Sequence, residues 1–148
     1  MLHHTQSERY GLPDVFAAAA ELDGLLVLGV IDPQTATILV SHWTEAAGSD
    51  DLGVHLAAGV SDAVRSLAVL AARVSPDSAL EDVVVTLVDH HYLIRLVTLE
   101  DGDAVAVVLV LARQTVNLAM ALRVLRYLPG VLPEFRSNGA SVRTGTLS

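Results

Sequence analysis

The fold is decided by residues 83–128, which read VVVTLVDHHYLIRLVTLEDGDAVAVVLVLARQTVNLAMALRVLRYL. Two apolar strands, Val83–Val88 and Tyr92–Leu99, are predicted on either side of the polar turn Asp89-His90-His91. A second and more acidic turn, Glu100–Asp103, then leads into a third strand. The stretch therefore predicts an antiparallel meander.

The third strand, Ala104–Leu111, is followed by a change of apolar period from strand-like to helical. The helical period runs from Thr115, a residue type that caps helix N-termini, to Leu128. Pro129-Gly130 then stops it. An amphipathic helix is therefore predicted to close the meander.

The first half of the chain carries similar signals. They predict a helix, two strands and a long helix, namely Pro13–Leu22, Leu25–Ile31, Ala36–Trp43 and Leu52–Val74. Gly24 suits a left-handed C-cap, and Asp32-Pro33-Gln34-Thr35 suits a tight turn. We expect one domain, residues 13–128, between a flexible N-terminus (1–12) and a disordered C-terminal tail (129–148).

The element order α-β-β-α-β-β-β-α predicts an α+β fold. Strands joined by short turns pair antiparallel, which gives one five-stranded antiparallel sheet. Val83–Val88 and Ala104–Leu111 are apolar on both faces, so both faces of the sheet need cover. We expect the long helix on one face and the other two helices on the opposite face.

The composition excludes several chemistries. All nine basic residues are Arg, and the 148-residue chain has neither Lys nor Cys. Lysine-dependent phosphate sites, Schiff bases, thiol nucleophiles and cysteine metal sites are therefore excluded. A net charge of −8 disfavours nucleic acid as a partner. The N-terminal residues do not resemble a signal peptide, and charges interrupt each apolar stretch before the ~18 residues of a membrane span, so we expect a cytoplasmic protein.

The long helix carries a broad apolar face, predicted to pack on the sheet, and a second face of small residues. The apolar face consists of Leu52, Leu56, Val60, Ala63, Val64, Leu67, Leu70, Ala71 and Val74. The small residues are Ala57, Ala58, Ser61, Ala68 and Ala72. They either reflect helix propensity alone or allow another helix to approach closely. Because the outer strand 83–88 is short of partners in one chain, we expect a homodimer through this strand (Val83, Val85 and Leu87) and the small-residue face.

Several local patterns resemble the roadblock/dynein light chain domain family over residues 13–128. They are the helix–strand junction Leu22–Val30, the Ala- and Leu-rich long helix, Glu81–Val88, Tyr92–Val97, and Val105–Leu111 before a terminal amphipathic helix. The first turn, Asp32–Thr35, departs from the Gly-containing turn usual in that family.

The resemblance implies a homodimer in which strand 83–88 pairs with its symmetry mate and the two long helices lie side by side. It also implies a regulator or scaffold of small Ras-like GTPases. The chain is not itself such a GTPase, because it lacks the G-x-x-x-x-G-K-[ST] sequence.

One polar stripe of the long helix is a candidate partner-binding surface. It consists of Asp62, Arg65, Ser66, Val69 and Arg73, which recur at helical spacing. The stripe is either a solvated face or a docking surface in which an Arg serves as an anchor.

Two groups of residues have the types that metal sites use. His90 and His91 beside Asp89 would have to converge on one point, whereas adjacent residues of a strand point to opposite faces. Glu100-Asp101-Gly102-Asp103 lacks the spacing of a calcium loop. We therefore predict no metal or cofactor.

The favoured function is a non-enzymatic, dimeric interaction module for a small Ras-like GTPase. One alternative is a profilin- or PAS-like sensor of a small ligand, although the predicted core is almost purely aliphatic. The other is a small hydrolase that uses Ser41 and His42 with Asp50 or Asp51, although the chain has no nucleophile elbow.

Overall fold

A computed structural model describes residues 17–44, 51–98 and 102–127. Within these ranges it contains three helices and five strands: α1 (Ala17–Ala20), β1 (Leu25–Asp32), β2 (Thr37–Trp43), α2 (Asp51–Val74), β3 (Asp82–Thr86), β4 (His90–Thr98), β5 (Ala104–Ala112) and α3 (Leu118–Tyr127). The predicted N-terminal segment and C-terminal tail lie outside the described residues.

The five strands form one antiparallel sheet in the order β2-β1-β5-β4-β3. β5 is the central strand, and its residues Val105–Leu111 are all buried. α2 packs on one face of the sheet through Leu56, Val60 and Val64. α1 and α3 pack on the opposite face. The predicted α+β fold, with one long helix opposite two shorter ones, is confirmed.

The turn between β3 and β4 comes earlier than the sequence predicted. The Leu87 N–H donates to the His90 carbonyl at 2.8 Å, so the tip is Val88-Asp89 and the two histidines already belong to β4. Arg113 fixes this tip, because its backbone N–H bonds to the Asp89 carbonyl and its guanidinium to the Leu87 carbonyl. Because Arg113 lies far along the chain from this turn, local sequence patterns do not predict where β3 ends.

Two other predicted boundaries are also wrong. Ala36 has a φ of +54° and belongs to the turn, so β2 begins at Thr37. α3 begins at Leu118, and its cap is Asn117, whose Oδ1 accepts the Met120 N–H at 3.1 Å. Thr115 instead lies in the turn that follows β5.

The apolar face of α2 is buried only in its first two thirds. Leu70 and Val74 belong to the predicted core face, yet Val74 is 79% exposed. By length and composition alone, Leu52–Val74 is apolar enough to cross a membrane, although the charged residues Asp62 and Arg65 interrupt it. Core helices meet the same criterion, and α2 has its buried residues against the sheet.

Candidate protein interface

The predicted partner-binding stripe lies on the solvent side of α2. Each of its residues is exposed, and they are Asp62, Arg65, Ser66, Val69 and Arg73. At 3.6 residues per turn they lie opposite Val60 and Val64, which face the sheet. The helix therefore presents this stripe because its other face is occupied by the core.

One ion pair lies within the stripe. The Arg65 guanidinium donates to Asp62 Oδ1, and both side chains remain largely exposed to water. A solvated pair of this kind contributes about 0–1 kcal/mol. Arg65 can therefore leave Asp62 and pair with a carboxylate of a partner at a small cost in free energy.

The second part of the candidate interface is the free edge of β3. The Leu87–His90 and Glu81–Leu96 hydrogen bonds show that the odd-numbered residues of this strand bond to β4. Because pairing alternates in an antiparallel ladder, Asp82, Val84 and Thr86 direct their backbone groups outward. Among the described strands, β3 and β2 are the ones with an unpaired edge.

The predicted strand-interface residues fall in different places. Val83 and Val85 lie on the α2 side of β3 and are partly buried, whereas Leu87 lies beyond the end of the strand, in the turn. Val84 lies on the opposite side and is about half exposed. Leu87 therefore follows the last residue of β3, and its N–H bonds to the His90 carbonyl at the turn.

An apolar groove of about 280 Å³ separates the first half of α2 from β3 and β4. Its lining residues are Leu52, His55, Leu56, Gly59, Val60, Ala63, Val85, Tyr92 and Ile94. A Cβ at Gly59 would meet no atom within 4 Å. Gly59 and Ala63 therefore lie one helical turn apart on the flank of α2 that faces the β3 edge. Both residues are small, so this flank of the helix has open space beside it.

The small-residue face predicted from the sequence is on the other flank of α2. Ala57 and Ser61 are 4% and 0% exposed, so they belong to the interior of the protomer. Ala58, Ala68 and Ala72 are exposed, but none of the five lines the groove. Gly59 and Ala63 recur at helical spacing, but no interface was predicted from them, because Ala63 was assigned to the apolar core face and alanine is frequent all round this helix.

The candidate hydrolase residues do not come together. Ser41 accepts a hydrogen bond from Trp43 Nε1 at 2.9 Å, on the side of the sheet that α2 covers. His42 is buried and pairs in register with Leu28, whose side chain belongs to the opposite core. Nothing is described for Asp50, or for the side chain of Asp51. A serine–histidine pair cannot form across the sheet.

The neighbouring histidines are separated in the same way. His91 is buried, and its Nδ1 lies 3.3 Å from Thr86 Oγ1. His90 follows the alternation of β4 to the opposite face. Within the described ranges, no three His, Cys, Asp or Glu side chains are grouped as metal ligands. In the acidic turn, Gly102 has a φ of +90°, as a hairpin requires.

No protein-family sequence model matches the chain. No curated protein matches it in sequence either.

Solved structures do match. An MglB with a tetrameric arrangement is 16% identical with a TM-score of 0.70, over 90% of this chain and 92% of that one. A roadblock/LC7 domain from Streptomyces avermitilis is 12% identical with a TM-score of 0.62, over 81% and 92%. The gliding protein MglB from Thermus thermophilus is 14% identical with a TM-score of 0.66, over 89% of each chain. The chain therefore has the roadblock/LC7 fold, as its resemblance to that family had predicted.

Proposed function

We propose that this protein is a non-enzymatic, homodimeric interaction module that regulates or scaffolds a small Ras-like GTPase in the cytoplasm. The observation that supports this most is the position of α2: its exposed polar stripe lies beside an apolar groove and an open sheet edge. The fold is shared with MglB and roadblock/LC7 structures. The GTPase is proposed as the partner because the resembled family regulates or scaffolds small Ras-like GTPases. The cytoplasm is proposed as the location because GTP is available there.

The groove and the edge strand together favour a twofold dimer. The outward backbone groups of β3 are centred on Val84, so antiparallel pairing of β3 with its symmetry mate would use all of them when Val84 faces Val84 of the second copy. The α2 helix of the second copy would then cover the groove beside Gly59 and Ala63. This would also remove part of the exposed apolar surface at Leu70 and Val74 from water.

Dimerisation would enlarge the docking surface for the GTPase. Two α2 helices side by side would present two copies of the polar stripe on one face of a continuous sheet. Arg65 and Arg73 are the anchors that we assign to it, because Arg is enriched among the residues that dominate interface energies.

The test uses two double variants on opposite faces of the protein. We expect R65A/R73A to weaken capture of a small GTPase roughly 30-fold or more, since hot-spot truncations typically cost about 2 kcal/mol. R123A/R126A, which removes two exposed Arg residues of α3, is the matched control and should bind as the unchanged chain does. The measurement is affinity capture from the source cell with and without a GTP analogue, followed by titration with the purified GTPase.

Equal binding by both double variants would refute the placement on α2. Failure of a folded bait to recover any GTPase would refute the proposed partner. Dependence of the capture on the GTP analogue would favour a regulator over a passive scaffold.

Neither alternative function is favoured by the structure. The hydrolase hypothesis fails on the opposed faces of Ser41 and His42. The sensor hypothesis needs an enclosed pocket with converging polar groups, whereas the groove lies at the β3 side of the sheet and His55 and Tyr92 are its only two polar side chains.

A further inference from the structure

The α3 helix carries an exposed face that neither the core nor the proposed GTPase surface uses. Its sequence, LAMALRVLRY, buries Ala121 and Leu125 against the sheet. Met120 and Tyr127 are 52% and 63% exposed. Arg123 and Arg126 are exposed between them. Residues 120, 123 and 127 recur at the helical period, so they form one outward stripe, with Arg126 beside it.

The charge of this face is opposite to that of the chain as a whole. The chain has a net charge of −8, but α3 contains two Arg residues and no acidic residue. In the part of the chain that the structure describes, Arg65 and Arg95 each pair with a carboxylate, whereas Arg123 and Arg126 have no such pair. Two guanidinium groups are therefore available to an external acceptor.

We propose that the exposed face of α3, formed by Met120, Arg123, Arg126 and Tyr127, docks a carboxylate-rich segment of a partner protein. A guanidinium is a planar fork that matches a carboxylate with two parallel hydrogen bonds. Tyr, Met and Arg are the residue types enriched at protein interfaces. The apolar bodies of Met120 and Tyr127 would exclude water around the two ion pairs.

A protein partner is favoured over a membrane or a nucleic acid. Binding to anionic lipid by charge takes clusters of about 4–8 basic residues, and α3 offers two. A nucleic acid would be repelled by the net charge of −8. Carboxylates on a protein segment are the remaining ligands of matching charge.

This surface does not depend on the proposed function, because α3 and α2 lie on opposite faces of the sheet. A partner on α3 would leave the α2 stripe and the β3 edge free. The module would then connect two different proteins through the two faces of one sheet.

The experiment is photo-crosslinking in the source cell from the full chain carrying p-benzoylphenylalanine at position 127. Support requires a crosslinked peptide with at least two Asp or Glu residues, and a roughly 30-fold lower yield in R123E/R126E. Support also requires a charge swap: replacing the Asp or Glu residues of the partner segment by Arg should restore the crosslinking yield of R123E/R126E. R65E/R73E is the matched control and should leave the yield unchanged.

Several outcomes would overturn the proposal. They are no crosslink, a crosslinked segment without carboxylates, an unchanged yield in R123E/R126E, and crosslinking to lipid. Sedimentation with phosphatidylserine vesicles tests whether the α3 face binds a membrane instead. Cosedimentation of the unchanged chain that is lost in R123E/R126E would also overturn the proposal. Both double variants replace exposed side chains, so an unchanged melting temperature will show that they are folded. GTPase binding by R123E/R126E separates failure here from failure of the proposed function.

Discussion

Glycine is required at position 24 for two separate reasons. The residue has a φ of +85°, which L side chains rarely adopt. A Cβ there would also lie 2.7 Å from Thr115 Oγ1 and 3.1 Å from the Ala112 carbonyl oxygen. The backbone turn before β1 and the turn after β5 are thus in direct contact, and the Ala112 N–H also bonds to the Gly24 carbonyl at 2.7 Å.

Gly24→Ala should therefore destabilise the protein by about 2–4 kcal/mol, from backbone strain and overpacking together. Gly102→Ala is the matched control, because Gly102 has a similar φ of +90° but no atom within 4 Å of an added Cβ. We expect it to cost only about 1 kcal/mol. Urea unfolding will measure both, and equal losses would show that the crowding at Gly24 is relieved without cost.

The cap of α3 is a second residue-scale feature. Asn117→Ala should cost about 1 kcal/mol, because it removes the acceptor of the Met120 N–H. Thr115→Ala, at the position that the sequence suggested as the cap, should cost less than about 0.5 kcal/mol. Thermal unfolding of the two variants distinguishes the positions, and a larger loss at Thr115 would contradict the capping role of Asn117.

At the scale of elements, α2 is docked on the sheet through a close contact at Gly53. A Cβ at Gly53 would lie 2.7 Å from the ring of Trp43, the single Trp of the chain. Ile38 lies beside the same position, so the backbone of the first turn of α2 packs directly against side chains of β2. Position 53 therefore has room for the hydrogen atom of a glycine but not for a Cβ atom.

Gly53→Ala should displace the Trp43 ring and destabilise the protein by about 1–3 kcal/mol, despite the better helix propensity of Ala. The emission maximum of Trp43 will report the displacement as a shift to longer wavelength. Gly59→Ala lies on the same helix with no atom within 4 Å, and it should leave the emission unchanged. Identical spectra for both variants would show that the indole does not limit the docking of α2.

At the scale of the whole molecule, the protomer leaves apolar surface uncovered near one edge of its sheet. Val84 is about half exposed, and Val85 lines the groove beside it. Edge strands of soluble proteins are normally protected by charge, proline or a partner, and β3 has only Asp82 as protection. This is the physical reason to expect a second copy there.

Val85→Asp should dissociate the proposed homodimer, because it places a charge where the second copy would exclude water. Val88→Asp adds the same charge at the exposed turn and should leave the mass unchanged. Sedimentation velocity, with circular dichroism to show that both variants fold, makes the comparison. An unchanged dimer mass for Val85→Asp would contradict dimerisation through β3.

Much of the fold follows from local signals in the sequence. The central strand is found because Val105–Leu111 is apolar without interruption, and β1 because Leu25–Ile31 is nearly so. Gly24 and Gly102 are placed in turns because they tolerate positive φ. These features depend on residues a few positions apart, so they can be derived before any tertiary contact is known.

The candidate site is only partly predictable, because part of it depends on contacts between segments that are distant in the chain. The exposed stripe of α2 follows from helical spacing, because it lies opposite the apolar residues of the same helix. The flank that faces the β3 edge does not, since it depends on where the sheet places β3 relative to the helix. Gly59 and Ala63 were therefore not predicted as interface residues, and Ala57 and Ser61, which were, are buried inside the protomer.

The sequence by itself determined the element order, the antiparallel sheet and the two-sided cover of that sheet, because periodicity and turn chemistry are local. Only the tertiary structure decided that β3 ends before Leu87, that α3 is capped by Asn117, and which flank of α2 lines the groove. The strand end and the groove depend on groups far apart in the chain, such as Arg113 holding the β3–β4 turn. The cap is a local contact, but Thr115 is also a capping residue type, so the sequence alone did not choose between the two positions. Local patterns specify what each segment forms, and the packing of segments specifies which of their surfaces remain free.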